Sequence, residues 1–288
     1  MISVRHLYAS LQAFIRFKEL AKSIKMVALS LLHQLKKKVN SRGLALSSIV
    51  PFYTDVNYPE EFVRIMLVSI GVDKSMCGPH NSNVLSATER LVKRFKDSSK
   101  KFQLVTIGIR IKDRLRRSQK NYVTAAILNS DKEPISLLTS YSISEKLLEK
   151  DSHVERYFFI FNRYYSPFLQ KTSVYELFAL SFFIFIALNY SSEQTLSTSQ
   201  HFYSFVYDIS DALDKYLTDI YLLTFSYIVL DCLEENEYSG LGARITSMEN
   251  SISNATNIIE LKTLVYNKAR QAQITNELIE IITCANLL

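Results

Sequence analysis

Cys77-Gly78-Pro79-His80 sets a thiol and an imidazole three residues apart, which is half of the ligand set a zinc site needs. No second Cys/His pair stands at ligand spacing, so these residues read as a loop rather than a metal centre. The five histidines (His6, His33, His80, His153 and His201) are scattered. No serine or cysteine sits beside one of them in a nucleophile motif. Asp208, Asp211 and Asp214 occupy adjacent positions on a helix and imitate a carboxylate cluster. Acids at a helix start complement the helix dipole, which is the simpler account. Gly71 and Gly78, separated by Asp73 and Lys74, do not form the turn that cradles a pyrophosphate. The chain has neither Gly-x-Gly-x-x-Gly nor a phosphate loop. No catalytic constellation, metal site or cofactor is expected, so function must rest on the surfaces that the chain presents.

Those surfaces depend on helices first. Ala243 to Leu288 is forty-six residues without a proline or glycine. Apolar residues recur at Ile245, Met248, Ile252, Ala255 and Ile259, then at Ile274, Leu278, Ile281, Ala285 and Leu288. The intervals alternate between four and three, the seam of a helix wound against a partner helix. The two runs differ in phase by one residue, which predicts an adjustment of the supercoil between Ile259 and Ile274. An N-terminal helix is expected from about residue 3 into the fifties, with Phe17, Leu20, Ile24, Val27 and Leu31 as the complementary seam. Gly43 and Pro51 predict its bend or end.

Between the helices the pattern alternates. Strands are expected at Phe62–Ile70, Gln103–Ile107, Tyr122–Leu128 and Arg156–Asn162. Helices are expected at Val84–Phe95, Ile109–Arg117 and Ile143–Lys150. That alternation argues for a small parallel α/β sheet. The second long helix should begin near Ser204 to Asp208, with Gly240 and Gly242 interrupting its middle at a cost of roughly 0.5–1 kcal/mol each relative to alanine. The division is then 1–60 for an N-terminal shaft helix, 61–203 for an α/β domain and 204–288 for a C-terminal shaft helix.

Apolar residues are 48% of the 288 and charged residues 22%, the balance of a folded protein with a real core. Three widely spaced cysteines make no disulfide framework and suit a reducing compartment. The longest apolar run, Leu177 to Leu188, has twelve residues, short of a membrane span, and reads as a buried strand or core helix. Charge is uneven: residues 1–120 hold 23 Lys+Arg against 8 Asp+Glu, and residues 121–288 hold 11 against 20. Few aromatics interleave with the basic runs, so basic and acidic parts facing each other explain the asymmetry better than nucleic acid does. Antiparallel pairing of the terminal helices with a register sum near 270 would bring Lys36, Lys37 and Lys38 past Glu234, Glu235 and Glu237. The first eighteen residues hold Arg5, His6, Arg16 and Lys18 and no acid, the composition of a mitochondrial targeting segment.

Six blocks, in order along the chain, carry a resemblance. Lys22-Ser23-Ile24-Lys25-Met26-Val27-Ala28 is the first, and Asp73-Lys74-Ser75-Met76-Cys77-Gly78 the second. Val105-Thr106-Ile107-Gly108 with Ile111-Lys112, and Phe161-Asn162-Arg163-Tyr164, follow. Ala243 to Asn250 and Tyr266 to Leu278 close the set. Together they resemble the gamma subunit of F-type ATP synthase, mitochondrial branch. In that family's alignment Met1 falls near the start of the mature sequence, so the basic segment reads as the first turns of the N-terminal helix. Either the chain is imported through that helix, or a presequence precedes it.

The resemblance implies an α/β fold in which a long antiparallel coiled coil of N- and C-terminal helices joins a small Rossmann-like parallel-sheet domain. It implies a central rotor stalk that transmits proton-driven rotation from the membrane ring to the catalytic head, and that is not catalytic by itself. The implied partners are the alpha and beta subunits of the head, the delta and epsilon stalk subunits and the membrane c-ring. No nucleic acid and no direct membrane insertion are implied, and the place is the matrix side of the mitochondrial inner membrane. Arg270 and Gln271 match the pair with which the family engages a loop of the beta subunit. Lys22, Ile24, Lys25 and Met26 match the N-terminal helix near the head, and Ile281 to Leu288 match the apolar tip held in its bearing. From the residues alone, the competing reading is a basic coiled-coil adaptor that binds acidic membrane or nucleic acid.

Overall fold

The computed structural model describes residues 4–49, 64–98, 100–119, 122–127, 135–150, 153–167, 169–180 and 213–286. Its chain order is α1 (Val4–Ile49), β1 (Arg64–Ile70), α2 (His80–Asp97), β2 (Lys101–Ile107), α3 (Ile109–Ser118), β3 (Val123–Ile127), α4 (Leu137–Lys150), β4 (Arg156–Tyr164), β5 (Gln170–Phe178) and α5 (Leu213–Asn286). The chain divides into two compact units, one of residues 1–31 with 244–288 and the other of residues 32–243. Gly43 lies inside α1 and does not end it, and Pro51 is outside the described residues.

The second unit is built on a five-stranded sheet of order β3-β2-β1-β4-β5. The strands β1 to β4 are parallel, as the alternation of strands and helices predicts. β1 is buried from Ile65 to Ile70, which is why it reads as an unbroken apolar run: a strand covered on both faces has no solvent side. β5 runs antiparallel to β4 from Arg156↔Phe178 to Tyr164↔Gln170, so the sheet is mixed rather than purely parallel. Its residues are half-buried or exposed up to Glu176, as suits an edge strand. Leu177 and Phe178 of the apolar run are in β5, and residues 181–188 fall outside the described residues.

Each face of the sheet has its own core. On one, Ile65, Leu67, Leu104 and Ile160 meet Val84, Val92 and Phe95 of α2 and Ile111 and Leu115 of α3. On the other, Met66, Val68, Val105, Tyr157, Phe159 and Phe161 meet Leu147 of α4 and Tyr221, Phe225, Ile228, Val229 and Cys232 of α5. Phe225 packs edge-on to Tyr157 and Phe159, with centroids 5.2 and 5.7 Å away. The Tyr221 hydroxyl donates to the Phe178 carbonyl at 2.7 Å. The strand starts therefore lie level with Tyr221 and Phe225 of α5.

Gly240 and Gly242 do not interrupt α5, which is one helix of 74 residues. They let it approach the sheet closely. A Cβ on Gly240 would lie 2.7 Å from Val72 Cγ2, and one on Gly242 would lie 2.6 Å from Tyr164 Cε2. Helix propensity alone would make Gly242→Ala stabilising by up to about 1 kcal/mol. Tyr164 packs against Tyr238 with ring centroids 4.3 Å apart and planes tilted by 60°, and has little room to yield. Overpacking of this kind costs about 1–3 kcal/mol, so the expected net is a loss, read as a lower urea midpoint at unchanged slope.

Candidate functional site: the paired terminal helices and the α5 socket

In the first unit, the part of α5 after Ala243 packs along α1 through one uninterrupted seam. Ile245, Met248, Ile252, Ala255 and Ile259 are buried or half-buried, as their spacing predicts. The pattern then continues without a phase change through Lys262, Tyr266 and Ala269, all half-buried. The supercoil adjustment expected after Ile259 is therefore absent, because a lysine stem and a tyrosine ring carry the seam where no aliphatic residue does.

On α1 the seam is Leu7, Leu11, Phe14, Lys18, Ala21, Lys25 and Ala28, all buried or half-buried. Of the residues expected there, Ile24 is half-buried. Phe17, Leu20, Val27 and Leu31 are 44, 63, 62 and 37% exposed. Small residues decide this: Ala21 and Ala28, each 1% exposed, let the backbones approach, and the lysine stems fill the flanks.

Three contacts fix the register. Tyr8 meets Tyr266 at 5.7 Å, Lys262 Nζ lies 5.3 Å from the Phe14 centroid, and Lys25 Nζ donates to Glu249 Oε1 at 3.0 Å. The paired numbers sum to 274 or 276, so the helices are antiparallel and close to the expected 270. Val4 then faces residue 270, and the turns beyond it have no stretch of α1 opposite them among the described residues. Ile274, Leu278, Ile279, Ile281 and Ile282 are accordingly 48, 54, 55, 64 and 59% exposed.

The expected contact residues do not converge on one spot. Lys22 and Met26 are exposed on α1, the latter by 67%, whereas Lys25 is turned inward to Glu249. Arg270 and Gln271 are exposed at the level of Val4, about 27 Å along the helix from Lys22 at 1.5 Å per residue. Ile281 lies still further along, and Leu288 is outside the described residues. These are three stations on the same pair of helices.

A second arrangement holds α5 to the sheet unit, and sequence reasoning did not find it. β4 runs beyond its last pair with β1, Ser69↔Ile160, so Asn162 has no β1 residue opposite it. Asn236 of α5 takes that place: its Oδ1 accepts from the Asn162 backbone N–H at 3.3 Å and from His80 Nε2 at 3.1 Å. Asn162 Nδ2 donates to the His80 carbonyl at 2.8 Å, and the Thr172 hydroxyl donates to Asn162 Oδ1 at 2.7 Å. His80, Asn162 and Asn236 are at most 2% exposed. Burial pushes His80 down to about 4, against hydrogen bonds with Asn236 and Gln170 that raise it. The imidazole is thus neutral and structural, not a ligand in waiting.

The loop before His80 completes the socket. Asp73 accepts from the Ile109 N–H at the start of α3, where Gly108 has a φ of 108°. Lys74 Nζ donates to Glu237 Oε1 at 3.2 Å, and Cys77 packs with Val72 and Ala243. Glu237 is therefore matched by Lys74 rather than by the Lys36–Lys38 run. Glu235 accepts from the Tyr164 N–H at 3.4 Å, and burial raises its pKa. Lys36 makes no ion pair among the described residues, and the side chains of Lys37 and Lys38 lie outside them. Asp208 and Asp211 also lie outside the described residues.

A family model described as ATP synthase matches residues 3–288. The mitochondrial ATP synthase subunit gamma of Arabidopsis thaliana is 26% identical over 277 residues, covering 94% of this chain and 81% of that protein. The mitochondrial F(1) complex subunit gamma of Rattus norvegicus is 25% identical over 280 residues, covering 96% of each. Among solved structures, a chain of the Euglena gracilis mitochondrial ATP synthase (OSCP/F1/c-ring, rotational state 3) superposes with a TM-score of 0.80 at 21% identity. It covers 98% of this chain and 93% of that one. A chain of the rotor of the same enzyme in rotational state 1 gives 0.75 at 20%, covering 94% and 98%.

Proposed function

The chain belongs to the ATP synthase family, as a gamma subunit of the central stalk, and from that premise we propose that it transmits rotation between the membrane c-ring and the alpha/beta head of a mitochondrial enzyme. The observation that carries this reading is the bare end of α5: past residue 270 no described part of α1 lies opposite this heptad-paired helix, and four isoleucines and a leucine stand in water. Burying each such side chain is worth about 1.5–3 kcal/mol, so the overhang is suited to an apolar sleeve supplied by other subunits. Arg270 and Gln271 engage the beta subunit just below that sleeve, and Lys22, Ile24 and Met26 address the head from α1. Lys25 serves the pair itself through Glu249.

The sheet unit meets the ring and the delta and epsilon subunits, on the matrix side of the inner membrane. The chain performs no chemistry itself. It biases the catalytic sites because its faces differ: a partner shifts a conformational equilibrium only through differential interaction with its states. The adaptor reading gives way to a family likeness that runs from residue 3 to residue 288.

Arg270→Ala with Gln271→Ala should lower turnover of the assembled enzyme roughly tenfold, the loss of one or two charge-assisted contacts, while the isolated chain melts unchanged. Turnover equal to that of the unaltered complex would remove these two residues from the contact.

A further inference from the structure

We propose that the unassembled chain pairs with a second copy of itself through an apolar stripe along one side of the two terminal helices. The seam that joins α1 to α5 leaves a second heptad repeat unused. Phe17, Leu20, Ile24, Val27 and Leu31 follow one another at intervals of three and four, the spacing of a further helix contact. All but Ile24 are exposed, by 37 to 63%.

α5 widens the stripe on the same side. Phe17 directly precedes the seam residue Lys18, and Ile258 directly precedes the seam residue Ile259, each followed in its seam by an interval of three. In an antiparallel pair, residues that precede equivalent seam positions flank the same edge. The numbers 17 and 258 sum to 275, inside the register set by Tyr8 with Tyr266 and Phe14 with Lys262, so the two stand at one level. Leu261 and Val265 continue the face from Ile258, and the three are 64, 54 and 36% exposed in that order.

Area and charge select the occupant. Seven exposed side chains of this size leave about 500–600 Å² of apolar surface in water, the upper end of what a monomer shows in one patch. Two copies face to face would bury about 1,000–1,200 Å², enough for a specific contact and too little for an obligate one. The polar residues within the stripe, Ser23, Ser30, Ser251 and Asn254, are neutral. Its margins hold Arg16, Glu19, Glu260 and Lys268, two charges of each sign. An identical face meets no net repulsion there, whereas a strongly acidic or basic partner finds no field to match. A heptad ridge also suits its own copy, as an isologous contact requires. Ile24 lies on this stripe, so the head and the copy exclude each other on α1. The dimer is therefore the form of the chain before assembly, and it does not depend on the rotor reading.

The test is sedimentation equilibrium of the full chain without other subunits. Dimers should form with a dissociation constant of about 1–10 µM, the weak end for a contact of this area. Leu20→Gln with Val27→Gln should raise that constant about a hundredfold or more, because the two copies lose four apolar side chains from the contact. Ile258→Gln with Leu261→Gln should do the same from the α5 side. Both pairs stand in water in the monomer, so the melting of dilute chain should not move. Leu278→Gln, Ile281→Gln and Ile282→Gln together, on the overhang, should leave the dimer intact, as should about 0.5 M salt. A monomer at about 100 µM, a dimer that survives either substituted pair, or loss of the dimer in the overhang variant would overturn the proposal. So would an open series of larger oligomers, since a two-fold contact closes on itself.

Discussion

Asn236→Leu is expected to destabilise the sheet unit by about 3 kcal/mol, although leucine is the better helix former. The substitution leaves two buried donors without an acceptor, the Asn162 N–H and His80 Nε2. Each orphaned group costs about 1–3 kcal/mol in the interior, against a few tenths gained in propensity. Urea denaturation followed in the sheet unit measures this, and a change below 0.5 kcal/mol would mean the network carries no weight. The same network has a pH signature. His80 is held near 4, below its ordinary 6.5, so the unfolded chain takes up a proton first as pH falls. Stability is full above about pH 6.5, declines from there to about pH 4, and flattens below. The integrated loss is at most about 3 kcal/mol, and His80→Gln should flatten that interval.

The second large effect concerns the overhang and appears only in the assembly. Replacing Leu278, Ile281 and Ile282 by glutamine should leave the isolated chain's melting within about 0.5 kcal/mol, because these side chains already stand in water. In a partner's sleeve the same three side chains contribute about 5 kcal/mol, a thousandfold or more in association. Few substitutions separate fold from function so cleanly. A destabilised chain would show instead that the end of α5 folds back on its own unit.

The contrast between the two terminal helices explains what was legible in the sequence. The seam of α5 could be read from Ile245 to Ile259 because aliphatic residues fill every seam position. The seam of α1 could not, because alanines and lysine stems occupy it while Phe17, Leu20, Val27 and Leu31 repeat at the same period on another face. Periodicity gives the pitch of a helix, and packing volume chooses the face. β1, β2 and β4 announced themselves by burial on both faces. β5 did not, since an edge strand with Gln170, Lys171, Thr172 and Glu176 has no continuous apolar run.

The socket was harder to foresee. Asn236 is one polar residue in a 74-residue helix, and nothing periodic marks it. Gly240 and Gly242 carried the only local sign, and propensity alone misread them as weak points. The Cβ clearances of 2.7 and 2.6 Å make them points of closest approach. The resemblance block Asp73 to Gly78 was recognisable as a sequence before its physical task was known. Asp73 receives the first N–H of α3, Lys74 pairs with Glu237, and Cys77 packs under Ala243.

Complementation of a gamma-deficient strain reaches the central claim most directly, with the unaltered chain and the Leu278, Ile281 and Ile282 glutamine variant compared side by side. The unaltered chain should copurify stoichiometrically with alpha and beta subunits and restore growth that depends on ATP synthesis, and the variant should do neither despite normal levels. Equal rescue by both would contradict the claim that the overhanging end of α5 is the part gripped by the head.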